Sequence, residues 1–295
     1  METRKRKPKA PKPVKPDAKA EAEYRAQLQS LVRLMAKELY AEIEPELKRL
    51  KPQYIADSYV RDSWVDSILS AIRKVSSKFT GDLFTAQAER IALRTVSRAE
   101  AGNAEAFRDS VNKAVGVDIT RVTQSAGMKN YLEASTAANV NLIKSIPSEY
   151  FQKVETLILD GMNGGLAPST LAKQIQEETG VAYRRAKFIA RDQMAKINSD
   201  MTRKRQEEAG IDFYQSIDSG DIRVSGNPAG KYPKAKISCW GIARQDIGYG
   251  KGVYKVSDGA PWAGLTGLHP GKHHPGCRCT AQAMIIDVNY FPEDK

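Results

Sequence analysis

Apolar side chains return at steps of three and four residues from Tyr24 to Leu159, and this periodicity limits the fold more than any other feature. Tyr24, Leu28, Leu31, Met35, Leu39, Ile43, Leu47 and Leu50 fall on one face of a helix that Pro45 would bend or split. Trp64, Ile68, Ile72, Val75 and Phe79 repeat the pattern up to Gly81. Leu83–Ala101 and Ala104–Val115 predict two further helices punctuated by Gly102 and Gly116. Asn130–Lys144 and Ser148–Leu159 predict another pair, broken at Pro147. Stripes of this kind are core and helix packing, and none has the look of a cofactor box.

The pattern then changes. Residues 160–167 read as a turn, Pro168 opens a short helix ending near Thr179, and Gly180 sits where a C-terminal cap is expected. A longer helix is predicted from Ala182 to Glu208, stopped by Gly210. Ala186, Ile189, Ala190, Ile197 and Met201 form its buried side. Arg184, Arg185, Lys187, Arg191, Lys196, Arg203, Lys204 and Arg205, with Asp192, Asp200, Glu207 and Glu208, are assigned to its solvated faces. Beyond Gly210 the chain becomes rich in Gly, Pro, Asp and Lys, with strands predicted at Ile211–Ile217, Gly252–Val256 and Cys279–Val288. The class is therefore α+β: a mainly helical N-terminal body followed by a small α+β C-terminal module with long loops. Residues 1–20 are expected as a disordered basic arm, 21–160 as the helical body, and 161–295 as the module.

Charge singles out the arm. The net charge is +11, and residues 1–20 hold eight basic and two acidic groups, or +6 of that total. Arg4, Lys5, Arg6, Lys7, Lys9, Lys12, Lys15 and Lys19 are interleaved with prolines and almost no apolar residue. Such a segment cannot bury enough surface to offset its ordering entropy, so it reads either as a solubilising tail or as a sequence-independent contact to double-stranded DNA phosphates. No apolar run approaches the roughly 18 residues that cross a bilayer, so no membrane segment is expected. No apolar stretch follows the leading cations as a secretory signal requires, and a cytoplasmic protein is expected.

All three cysteines and all three histidines lie within 41 residues, Cys239 to Cys279. If Cys277–Cys279 is extended, both sulfurs point one way and Arg278 the other. His274 can curl back through the Pro275–Gly276 turn, and Cys239 can close a tetrahedral zinc site from a distant loop. The candidate metal ligands are thus Cys239, His274, Cys277 and Cys279. Two other readings stay open: a disulfide from Cys239 to one of the pair, and packed thiols beside hydrogen-bonded histidines. Catalysis is not expected. No Asp or Glu lies between residues 259 and 286 to orient a histidine or leave a metal with an open carboxylate-bound site. No phosphate-cradling Gly loop or zincin helix occurs either.

The closing run HHPGCRCTAQAMI, His273 to Ile285, resembles the end of the phage Mu F-like head-morphogenesis family. FIARDQMAKINSDMTRKRQEEAGIDFY, Phe188 to Tyr214, is similar to the long helix and Glu-Ala-Gly-Ile turn that precede it there. The likeness spans residues 160–288 or so. The resemblance implies a non-enzymatic minor capsid protein of a tailed phage, with portal protein, capsid proteins and packaged double-stranded DNA as partners. Its place would be the virion, at the head interior or portal vertex, after assembly in the host cytoplasm. The competing reading is a zinc-containing DNA-binding or DNA-processing protein.

Overall fold

In a computed structural model of the chain, the described residues are 10–50, 59–116, 119, 126–163 and 166–285. The fold is α+β and mainly helical. Five long helices come first: α1 (Ala18–Leu50), α2 (Tyr59–Lys78), α3 (Asp82–Val115), α4 (Ala126–Asn163) and α5 (Pro168–Glu208). After them come β1 (Phe213–Ile217), a short α6 (Cys239–Ile242), β2 (Val253–Lys255), β3 (Ala260–Trp262), β4 (Leu265–Leu268) and β5 (Thr280–Met284).

The apolar stripes bury as their spacing requires. In α1, Tyr24, Leu28, Leu31, Met35, Leu39 and Ile43 are all buried. Asp17 caps this helix, its Oδ1 accepting the backbone N–H groups of Lys19 at 2.8 Å and Ala20 at 3.3 Å. The side chains of Leu50 and Trp64 lie outside the described residues.

Four predicted helix ends or splits do not occur. Pro45 and Pro147 both lie inside helices, and the predicted pairs on either side of Gly102 and Pro147 are single helices, α3 and α4. Gly180 does not end a helix either, because α5 runs unbroken from Pro168 to Glu208. Burial accounts for this. Ile143 and Ile146 before Pro147, and Tyr150, Phe151, Val154 and Ile158 after it, share one buried stripe. Burying each such side chain contributes about 1.5–3 kcal/mol, together more than the roughly 3 kcal/mol that an interior proline costs. Leu171 and Ile175 before Gly180, with Ala182, Ala186 and Ile189 after it, likewise outweigh the ~1 kcal/mol cost of an interior glycine. At Gly102 the small residue serves packing, since a Cβ there would come within 3.2 Å of the Asp17 carboxylate. The predicted stop at Gly210 does occur. Gly210 has φ +64°, its N–H donates to Glu207 O at 3.1 Å, and Ile211 N–H donates to Gln206 O at 2.8 Å. Those two bonds form a Schellman cap.

The chain divides into two compact units. One comprises Ala22–Thr95 and Ser135–Ala190; the other comprises the described residues within Met1–Glu21, Val96–Ala134 and Arg191–Lys295. α3, α4 and α5 each contribute residues to both units. At 1.5 Å per residue, helices of 34 to 41 residues are longer than one small core is wide.

Among its described residues the first unit is mainly helical, with buried side chains from α1, α2, α3, α4 and α5, and Phe79 packs on the rings of Phe84 and Phe151. The second unit contains the antiparallel sheet β2-β1-β5 and the hairpin β3-β4. β1 is central, and its alternation buries Tyr214 and Ser216. Tyr214 packs with Ile242, Tyr254, Val256 and Ala260. The hairpin β3-β4 and α6 have no counterpart in the sequence reading.

Two sequence expectations are corrected in the second unit. Residues 10–17 of the arm are ordered, extended chain: Val14 is buried against Phe107, Val111 and Ala283, its carbonyl accepts Asn198 Nδ2, and Lys12 O accepts Ser110 Oγ. Lys12, Lys15 and Lys19 remain exposed, while Arg4, Lys5, Arg6, Lys7 and Lys9 lie outside the described residues. Arg205, assigned to a solvated face, is fully buried. It donates to Asn103 Oδ1 at 2.5 Å and to Glu100 Oε1 at 2.7 Å. Asn103 Nδ2 in turn donates to Asn198 Oδ1 at 2.8 Å and Thr202 Oγ1 at 2.9 Å. Asn103→Ala would leave the Arg205 guanidinium, Asn198 and Thr202 each short of a partner without access to water. We expect it to lower unfolding free energy by about 2–3 kcal/mol in urea titration. A change within 0.5 kcal/mol or so would mean that the network rearranges freely.

Candidate metal centre

The thiols converge because four short segments of the second unit are tied to one another. α6 begins at Cys239, where Ser238 is the cap and accepts Gly241 N–H at 2.8 Å. Cys277 and Cys279 immediately precede β5, and the extended backbone there sends both sulfurs inward. Arg278 points the other way and pairs with Asp221. The turn before them is fastened to α5: Asp192, buried to 5% exposure, accepts Gly276 N–H at 2.6 Å and also holds Lys196 at 2.7 Å. Lys272 binds Asp200 at 2.9 Å. Gly271, with φ +82°, passes so close to α5 that a Cβ would lie 2.9 Å from Ala195 O.

Within this frame the ligand atoms of Cys239, His273, Cys277 and Cys279 all lie within 4.8 Å of one another, and all four residues are buried. Cys239 Sγ is 3.8 Å from Cys277 Sγ and 3.3 Å from His273 Nδ1. A tetrahedral ion with metal–sulfur bonds of about 2.3 Å needs a sulfur–sulfur edge of about 3.8 Å. A disulfide needs about 2.05 Å, and the three cysteines are free. The four side chains could hold a metal ion.

His273 takes the place expected for His274. His273 is 2% exposed, and its Nε2 is buried without a hydrogen-bond partner among the described residues, so Nδ1 is the atom that engages the sulfurs. His274 stands just outside. Its Nε2 lies 3.1 Å from Ser225 Oγ and 3.2 Å from Cys239 Sγ, and Ser225 Oγ accepts the Cys239 N–H. The Pro275–Gly276 turn directs residue 274 toward Ser225, and only the next histidine back reaches the interior. His269 is not part of the cluster; it lies against the Tyr214 ring, and burial, aided by Arg203, holds its imidazole down at about 4.

The electrostatics of the sulfurs suit a cation. Hydrogen bonds from Cys239 and Cys279, with His273 nearby, hold the Cys277 thiol well below the usual thiol range. Donation to Cys277 pushes Cys239 up to about 12, and Cys279 is raised by its hydrogen bonds to the same two neighbours. The direction at Cys277 favours its thiolate, the form in which a cysteine binds a metal ion.

Comparison with known proteins gives one informative match. An uncharacterized protein of Haemophilus influenzae is 34% identical over 221 residues, which is 75% of this chain and 48% of that protein. The chain thus spans about half the length of the relative. No protein-family model matches the chain, and no solved structure does.

Metal analysis of purified protein separates the two histidines. Cys277→Ser and His273→Ala are each expected to reduce bound metal from about one equivalent to below about 0.2. His274→Ala should retain the metal, with affinity lowered roughly tenfold through loss of its contact to Cys239. The opposite pattern, with metal lost from the His274 variant alone, would exclude His273 as the ligand.

Proposed function

We propose that this chain is a non-enzymatic minor head protein of a tailed phage, of the phage Mu F-like kind, acting beside the portal and the packaged DNA. The observation that carries the reading is the run from His273 to Ile285. It is the most specific part of the resemblance, and it supplies three of the four clustered ligands together with β5, an edge strand of the sheet. The second resembling stretch, Phe188 to Tyr214, covers the part of α5 that holds this run and the passage into β1.

Zn2+ is the ion we assign to the centre. Three sulfurs and one imidazole form a borderline-soft set at tetrahedral spacing, and four protein ligands leave no position for water or substrate. Zinc held in this way ties loops together and does no chemistry. The same closed set, without a carboxylate, weighs against a DNA-processing metalloenzyme.

The contact to DNA is assigned to the leading cations. No helix among the described residues is long and apolar enough to cross a membrane. Arg4, Lys5, Arg6, Lys7 and Lys9 precede the segment fixed by Val14 and hold five of the eight positive charges of residues 1–20. The Gln variant of all five should bind duplex DNA more weakly, with a log–log salt slope shallower by up to about 4–5. Unchanged binding at low salt would remove the arm as the contact. For the wider reading, mass spectrometry of purified virions should find the chain at lower abundance than the major capsid protein and enriched with the portal ring. Its absence from assembled particles would end the proposal.

A further inference from the structure

We infer that the loop from Ile222 to Lys236 is a second, structured surface for the phosphate backbone of a polynucleotide, held in shape by the cysteine–histidine centre beneath it. Between residues 222 and 245 the chain has five cations and no carboxylate: Arg223, Lys231, Lys234, Lys236 and Arg244. Arg244 is engaged, pairing with Asp218 at 2.5 Å and lying over the Trp240 ring at 4.4 Å. The other four are exposed and form no ion pair with a described residue. The carboxylates bordering the loop are already occupied. Asp221 holds Arg278 and caps its own turn through the Arg223 N–H, Asp218 holds Arg244, and Asp246 accepts the amides of Gly248 and Gly250. Asp221 also attracts Arg223 across its turn, so the positive field directed outward comes chiefly from Lys231, Lys234 and Lys236.

The cations are mounted on a fixed frame. Lys231 N–H donates to Ile222 O at 2.6 Å and Gly226 N–H to Tyr232 O at 2.9 Å, which folds the loop back so that Arg223 and Lys231 leave neighbouring backbone positions. A turn closed from Ala235 N–H to Tyr232 O at 3.3 Å places Lys234, and Trp262 Nε1 donates to Lys236 O at 3.2 Å. On the inner side Val224 packs with Cys239, Cys277 and Cys279, and Ser225 Oγ accepts the Cys239 N–H. A frame tied down at this many points has little backbone entropy left to lose on binding.

Two apolar groups stand among the charges: Tyr232 is 56% exposed and Ile222 60% exposed. Neither helps to grip an acidic protein by charge, but an exposed ring flanked by lysines offers a base a stacking partner. Both duplex and single strand present the phosphates; only an unpaired base can use the ring. This surface requires only a repeating phosphate backbone, so it stands independently of the head-protein reading.

The test uses full-length protein in which Arg223, Lys231, Lys234 and Lys236 are all changed to Gln. Its zinc content and thermal midpoint should match the wild type, since none of the four side chains supports the core. Binding of a fluorescent random-sequence duplex and of an oligothymidylate of equal length is followed by anisotropy across a salt series. We expect duplex affinity at low salt to fall at least about tenfold and the log–log salt slope to become shallower by about 3–4. Tyr232→Ala should weaken oligothymidylate binding about fivefold or more and leave duplex binding unchanged. Unaltered affinity and slope in the four-Gln variant would overturn the inference. So would competition by polyglutamate as effective as DNA of equal charge, which would mark the surface as a contact for an acidic protein. Absence of the chain from virions leaves these binding results untouched, and loss of the binding leaves the virion assay untouched.

Discussion

The second unit depends on the meeting of three thiols and one imidazole. Between β1 and β5 most of the chain is turn and loop, and the strands are three to five residues long. These segments share a small apolar cluster of Tyr214, Ile242, Tyr254, Val256 and Ala260. The cysteine–histidine cluster joins the loop at Val224 and Ser225, the start of α6, the His-Pro-Gly-Lys-His-His turn and the lead-in to β5. A metal ion there would cross-link positions that are 34 or more residues apart, where closing the loop by contacts alone is entropically expensive. The neighbouring polar network of Arg205, Asn103, Glu100, Asn198 and Thr202 serves the helices of the same unit in a comparable way. It gives the two terminal nitrogens of the buried Arg205 guanidinium partners on α3, while Nε has none among the described residues.

Much of this was legible in the sequence. The α+β class, the buried stripes and the Gly210 stop follow from spacing, because burying a face at period 3.6 and closing a helix in the left-handed region are local requirements. The convergence of Cys239, Cys277 and Cys279 was also legible, since period two fixes the direction of the Cys-x-Cys pair. Where the reading departed from the structure, tertiary packing had overridden a local signal. Pro147 and Gly180 are breakers by propensity, yet each lies between residues committed to the same core. Arg205 was grouped with its charged neighbours, although it stands one turn beyond Met201 and two beyond Ile197, on the buried stripe; its position was a better guide than its charge. The exchange of His274 for His273 lay beyond the sequence, because it depends on Ser225 claiming the nearer ring.

Positive charge is organised at two levels. Among the described residues Lys12 and Lys15 flank the buried Val14, and Arg223, Lys231, Lys234 and Lys236 stand on a loop closed by backbone hydrogen bonds.

The grip of α5 on the turn that leads to Cys277 also bears on order of synthesis. Asp192, Ala195, Ser199 and Asp200 all leave the ribosome roughly 70–85 residues ahead of the turn that they contact. The helix is thus available as a mould before the last two cysteines emerge. Those thiols meet Cys239 within a seat already shaped for them, which shortens the time in which a nascent chain could pair them wrongly.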